Sequence, residues 1–301
     1  MKKKELIFYI TYFVVVISFI VLSIIPSPVN IKNGGGIEKV RYGTKEPRFY
    51  SAHVKYKRPS YLMYLLSYVY KGYEREEKVV MNPSKMKEEE LDRQGKLQLD
   101  LAYNMALVMA YKKAGKPLDY KVNIYVYESK LSDVHPGDIV KSINGEEDFT
   151  KFKVNAGKEN TLILKRKDKE VTVKYKASKD SYKLLLIKGP KVKDHALKMD
   201  RNAYGASAGL AYAVSIYNNL IKEDLTHGKK IVLTGVVFGE DHILEVGGID
   251  DKVKGAIKAG ADIFIMPLAN KKDADKYKDK IKIVYVKNFD EAIKFLESLN
   301  G

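Results

Sequence analysis

Two short segments in the last third of the chain carry side chains able to do chemistry. They are Gly205-Ala206-Ser207-Ala208-Gly209 and Gly247-Gly248-Ile249-Asp250-Asp251-Lys252. A serine flanked by small residues can stand at a tight turn that other backbone approaches closely. A lysine at the margin of an apolar helix face can lose enough hydration to act as a base. Brought together, the two would make a serine hydrolase whose base is lysine. On a helical wheel over residues 252–260, Val253, Ala256, Ile257, Ala259 and Gly260 form an apolar arc, with Asp251, Lys254 and Lys258 opposite, in water. Lys252 falls at the edge of that arc, where a lysine can also simply snorkel to solvent.

The serine motif alone leaves alternatives open. Gly205-x-Ser207-x-Gly209 suits close helix packing without chemistry, and it suits the nucleophile elbow of an α/β-hydrolase. The elbow needs a strand just before it, whereas residues 198–202 are polar and irregular, and it needs a downstream histidine, for which only His227 and His242 remain. A lysine base has its own requirement. Its pKa must fall about three units to be neutral near pH 7, a cost of about 4 kcal/mol drawn from desolvation.

Composition narrows the classes. The chain has 301 residues, 45% hydrophobic and 31% charged, which suits about two globular domains. It has no cysteine, so disulfides, thiolate metal sites and cysteine nucleophiles are excluded. The formal charge of +16 comes from basic residues interleaved with acidic ones and lacks a stacking-aromatic or finger pattern, so no nucleic-acid partner is expected. Weak attraction to anionic lipid or polymer is the expected consequence. The five histidines show no ligand spacing, and no Gly-x-x-x-x-Gly-Lys-Ser/Thr loop occurs, so neither metal nor nucleotide cofactor is expected.

The elements that must position the site begin at a membrane. Lys2-Lys3-Lys4-Glu5 precedes an uncharged stretch, residues 6–25, that as a helix spans roughly 30 Å, the thickness of a bilayer's hydrocarbon core. Pro26 and Pro28 end it, and the lysines favour a cytoplasmic N-terminus with the rest of the chain outside. A cleaved signal peptide is the rival, but its apolar core would be shorter and no small-x-small site follows Ile25. Asn33-Gly34-Gly35-Gly36 reads as a flexible spacer. Residues 48–57 alternate as a strand. A helix is expected from Asn82-Pro83 to Gly115, with Leu97, Leu101, Met105 and Val108 as its core stripe. A strand over 122–127, the turns Pro136-Gly137-Asp138-Ile139 and Ile143-Asn144-Gly145, a helix, and a hairpin about Lys167-Asp168 follow. In that order, residues 122–176 resemble a PDZ domain, which implies a peptide taken as an added strand. A small β-rich spacer domain with no ligand is the other reading.

Residues 204–267 resemble the proteolytic domain of Lon proteases. The segment 205–209 matches the nucleophile turn. Thr234-Gly235 matches the pair opening the next hairpin, and Gly247-Gly248, Lys252, Gly255-Ala256, Ala259-Gly260 and Pro267 match the lysine helix and the strand after it. The resemblance implies Ser207 as nucleophile, Lys252 as general base and Thr234 as a hydroxyl orienting the lysine, with Gly205, Gly209, Gly247 and Gly248 in support. The chain differs at Tyr204, where Lon has an acidic residue, and at Ala206, where Lon has proline. As a whole it resembles membrane-anchored Lon-like proteases carrying a PDZ domain. The expected fold is therefore α+β: a transmembrane helix and spacer over 1–36, a PDZ-like domain with a helical insertion over 37–180, and a Lon-type proteolytic α/β domain over 181–301. The expected activity is an ATP-independent serine endopeptidase outside the membrane, acting on flexible or unfolded protein segments. The resemblance further implies a homo-oligomeric, hexameric ring. The alternative is an anchored peptide-binding scaffold without catalysis.

Overall fold

The uncharged N-terminal stretch forms helix α1 (Lys3–Ile24), none of whose membrane-length segment is buried against the rest of the protein. Its mean hydropathy of 2.6 makes it long and apolar enough to cross a bilayer. The computed structural model describes residues 3–42, 49–57, 60–70, 74–76, 86–177, 184–193 and 205–300. In chain order the further elements are β1 (Asn30–Lys39), β2 (Phe49–Lys57), α2 (Tyr61–Leu66), β3 (Glu74–Glu76), α3 (Glu88–Lys113), β4 (Tyr120–Ser129), β5 (Ile139–Ile143), β6 (Glu159–Arg166), β7 (Lys169–Lys176) and β8 (Leu184–Val192). Then come α4 (Gly209–Ile221), β9 (Ile231–Leu233), β10 (Val236–Phe238), β11 (His242–Leu244), α5 (Ile249–Lys258), β12 (Ile263–Pro267), α6 (Lys271–Ala274), β13 (Lys282–Val286) and α7 (Phe289–Glu297).

A six-stranded sheet in the order β13-β12-β9-β2-β1-β3 frames the site. β13, β12, β9 and β2 run parallel, and β1 turns back antiparallel on β2. The fully buried Ile231, Val232 and Leu233 of β9 match what a central parallel strand covered on both faces requires. On one face, Ile231 and Leu233 pack with α3, α4 and α7 through Leu107, Leu210, Phe289 and Ile293. On the other, Val232, Ala52 and Phe264 pack with Val253 and Ala256 of α5.

The spacer expected at Asn33-Gly34-Gly35-Gly36 is instead part of β1. Strand pairing with β2 gives its backbone partners, and the missing side chains let α5 settle directly on the strand. A Cβ on Gly35 would lie 1.9 Å from the Asp251 carbonyl oxygen, and one on Gly255 would lie 2.6 Å from the Gly35 carbonyl carbon. Glycine enrichment thus marks close backbone approach here, not flexibility. It follows that residues 30–57 share a sheet with β9, β12 and β13, far downstream in the sequence.

A second sheet, fully antiparallel, has the order β7-β6-β5-β4-β8 and its own core of Val126, Val140, Ile143, Leu162 and Leu164. The hairpin about Lys167-Asp168 forms as expected, with both residues at positive φ in a two-residue turn. Where a helix was expected after Ile143-Asn144-Gly145, a single 3₁₀ turn stands at Phe149–Lys151. The Pro136-Gly137 turn is held by buried Asp138, whose two carboxylate oxygens each accept a 2.7 Å bond from Arg166. Helix α3 links the two sheets. Of its expected stripe Leu97 is buried, while Met105 and Val108 lie at the margin of the main core, which Leu99, Tyr103, Ala106, Leu107 and Ala110 enter. The reason is that α3 packs against both α4 and β8, with Leu101 set over Gly189. The expected helix start at Asn82-Pro83 lies outside the described residues.

Candidate active site

Ser207 stands half-buried in the turn 205–208 that opens α4. That turn is pinned from three sides. The Gly205 N–H donates to the Gly95 carbonyl of α3 (3.1 Å), the Gly235 N–H donates to the Ser207 carbonyl (2.8 Å), and the Leu210 N–H donates to the Gly235 carbonyl (3.1 Å). Gly209 sits so near β10 that a Cβ there would meet Val237 at 2.7 Å, which explains its lack of a side chain. Among the described residues, the N–H groups of Ser207 and Ala208 have no acceptor, and both lie at the positive end of α4.

Thr234 follows β9 directly and is fully buried. It alternates with Val232, so it belongs to the face of the sheet covered by α5. Its hydroxyl donates a 3.1 Å bond to the Ser207 carbonyl. The residue expected to orient the lysine therefore also ties the serine turn to the sheet, and its oxygen keeps lone pairs free to accept.

Lys252 lies in the first turns of α5 and is 3% exposed. The snorkelling alternative does not describe it. Among the described residues it has no side-chain hydrogen bond or ion pair, including none to Ser207 or Thr234. Burial pushes its ammonium down from 10.5 to about 8. The structure thus joins Ser207, Thr234 and Gly235 by direct bonds, with Gly209 packed against Val237, and Lys252 is, among the described residues, a dry amine without a side-chain partner on α5, across the sheet from α4. Asp251, expected in water, is 2% exposed. The wheel assigned it to solvent because β1, distant in sequence, covers that side of α5.

The two glycines before α5 differ in role. Gly248 caps the helix at φ 67°, and a Cβ there would strike Val54 at 2.6 Å, so both conformation and space demand glycine. A Cβ on Gly247 would meet nothing within 4 Å. Sequence reasoning missed Asn270. Its buried amide accepts from the Val246 N–H (2.9 Å) and donates to the Val246 carbonyl (3.0 Å), fixing the loop that starts the lysine helix. No motif carries this signal, since the pair is distant along the chain. Asn270→Ala leaves both Val246 groups buried and unpaired, so thermal unfolding should show a loss of about 2 kcal/mol.

The histidine-dependent elbow finds no support. His227 follows the C-terminal end of α4, roughly 20 Å of helix away from Ser207. His242 is exposed on the β10–β11 hairpin. Tyr204 and the segment 198–202 lie outside the described residues. Among the described residues no cluster of metal-ligating side chains occurs.

Residues 189–298 match the Lon protease C-terminal proteolytic domain. The Lon protease of Trichlorobacter lovleyi is 34% identical over 94 residues, 30% of this chain and 11% of that protein. The archaeal Lon protease of Halobacterium salinarum is 32% identical over 92 residues, 30% of this chain and 13% of its own length. The chain thus spans little more than a tenth of the curated relatives it matches. Half of the six-stranded sheet, β1 to β3, comes from outside the matched segment.

Proposed function

We propose that the chain is a membrane-tethered serine endopeptidase that works through a Ser207–Lys252 dyad and needs no ATP. The observation that carries the reading is Lys252, buried and, among the described residues, without a counter-ion, in a chain whose Ser207 turn is pinned by backbone hydrogen bonds and tied to the sheet by Thr234. A solvated lysine is protonated at neutral pH and useless as a base; this one is shifted towards neutrality by desolvation alone.

In the proposed reaction, neutral Lys252 takes the proton of the Ser207 hydroxyl as its oxygen attacks a peptide carbonyl. The tetrahedral oxyanion is met by the N–H groups of Ser207 and Ala208 at the start of α4. The lysine ammonium then gives the proton to the departing amine, leaving an acyl-enzyme that water hydrolyses with the same amine as base. In the reacting arrangement Lys252 turns to donate to the Thr234 hydroxyl oxygen, a bond absent among the described contacts, and is held toward the serine. No nucleotide-binding loop is present in the sequence, so substrates are flexible tails or already unfolded segments rather than chains the enzyme must unfold.

Helix α1 serves as the anchor, with the N-terminus cytoplasmic and the catalytic domain outside. The β4–β8 sheet is read as a PDZ-like domain, with α3 inserted before it, that presents substrate. Assembly into a hexameric ring is part of the same reading. The competing scaffold reading keeps the fold and the anchor but has no reactive serine. A fluorophosphonate probe separates the two: covalent labelling of the full chain without ATP, absent in Ser207→Ala, is expected, and an unlabelled wild-type chain would favour the scaffold.

A further inference from the structure

Helix α2 (Tyr61–Leu66) has the sequence Tyr-Leu-Met-Tyr-Leu-Leu and no buried residue. The chain continues through Tyr68, Val69 and Tyr70, which are 61%, 80% and 68% exposed. A helix apolar all round belongs in a core or in lipid. This one is in neither the core of the six-stranded sheet nor that of the five-stranded sheet.

Its position supplies the missing partner. The Tyr61 N–H donates to the Ile25 carbonyl at 2.7 Å, and Pro26 bridges Ser60, so α2 is bonded to the end of α1. Exposed Ile24 and Ile25 continue the apolar surface of α1 into exposed Leu65 and Leu66. The patch is also built as an interfacial surface is built. Tyr64 and Tyr68 stack edge to face and share a hydroxyl hydrogen bond of 2.8 Å, and the exposed Arg75 guanidinium sits 3.8 Å above the Tyr68 ring. Tyrosine rings with a cation at their rim suit the headgroup region of a bilayer, where an apolar body and a polar tip are both satisfied.

We infer that residues 61–70 form a second membrane contact, lying in the headgroup region of the leaflet where α1 ends. The occupant is lipid, because the patch is continuous with the face of α1 that lipid covers; a protein partner would have to sit in the membrane plane. The excess of basic over acidic residues, 54 against 38, favours an anionic leaflet. This contact would hold the strands that follow α1 at a fixed height and tilt over the membrane, which a single helix through a bilayer does not do. The inference rests on the reading of α1 as a membrane span.

The absence of tryptophan from the chain allows a direct test. Full-length single variants Tyr12→Trp in α1, Tyr68→Trp and Tyr70→Trp in the patch, and Tyr120→Trp on β4 are reconstituted in vesicles of phosphatidylethanolamine with a minor share of phosphatidylglycerol. Parallel samples use lipid brominated at shallow acyl carbons. The expected result is blue-shifted emission and loss of intensity in brominated lipid at positions 12, 68 and 70, with neither change at 120. Quenching at 12 together with red, unquenched emission at 68 and 70 would overturn the second contact and leave the anchor standing. An unquenched position 12 would overturn the anchor and this inference with it. Blue-shifted but unquenched emission at 68 and 70 would show a protein cover, such as a second copy, and overturn the lipid assignment.

Discussion

Replacing Lys252 by methionine is expected to abolish peptide hydrolysis while making the folded chain more stable at neutral pH. The two effects have one cause. Burial shifts the amine from 10.5 to about 8, which at about 1.4 kcal/mol per unit is a penalty on the order of 3 kcal/mol for keeping the charged form folded. Below pH 8 the amine is protonated in both the folded and unfolded chain, so the penalty is complete. Between 8 and 10.5 the unfolded chain binds more protons than the folded one, so stability rises with pH through that window and the penalty disappears above it. Methionine fills a similar space without a charge. Lys252→Met should therefore unfold at a higher temperature than the wild type at pH 7, and the gain should shrink as pH approaches 10.5. Hydrolysis should fall by about 10³-fold or more, as for loss of a general base. In the wild type, kcat/KM should rise with pH through a midpoint near 8, the pKa of the free enzyme's base. A variant that retains turnover, or a wild type whose rate is flat from pH 6 to 9, would remove Lys252 from the mechanism.

Gly35→Ala should be nearly as damaging, although Gly35 lies over 200 positions from the lysine. The added Cβ would sit 1.9 Å from the Asp251 carbonyl oxygen and 3.0 Å from the Lys252 nitrogen, both main-chain atoms that cannot rotate away. Either β1 bends or α5 lifts with its lysine. Overpacking of this kind costs about 3 kcal/mol. A displacement of an ångström at a catalytic base lowers kcat by about 100-fold. Thermal unfolding and kcat measured on the same preparation give the answer. A flexible spacer would tolerate alanine, so unchanged values for both would restore that reading and sever β1 from the site.

These two residues also mark how far the sequence can be read. Ser207 and Lys252 could be singled out as candidates because their signals are local: small residues at fixed spacing around a serine, and a lysine whose distance from a glycine pair resembles the Lon pattern. The hairpin about Lys167-Asp168 and the long apolar helix were readable for the same reason, since turn chemistry and hydropathy act over a few neighbours. Gly35 and Asn270 were not readable, because each acts on a partner brought near only by sheet formation. Asp251 was misassigned for that reason too.

The sequence by itself determined which groups are available for chemistry, that the N-terminal helix is apolar enough for a bilayer, and that turns fall where glycine, asparagine and aspartate permit positive φ. Only the tertiary structure decided that Lys252 is dry, that Thr234 bonds the serine turn, and that three glycines after the N-terminal helix lie in a strand on which α5 docks. Desolvation is a property of everything packed around an atom, and packing depends on contacts between segments whose separation along the chain carries no periodic signal.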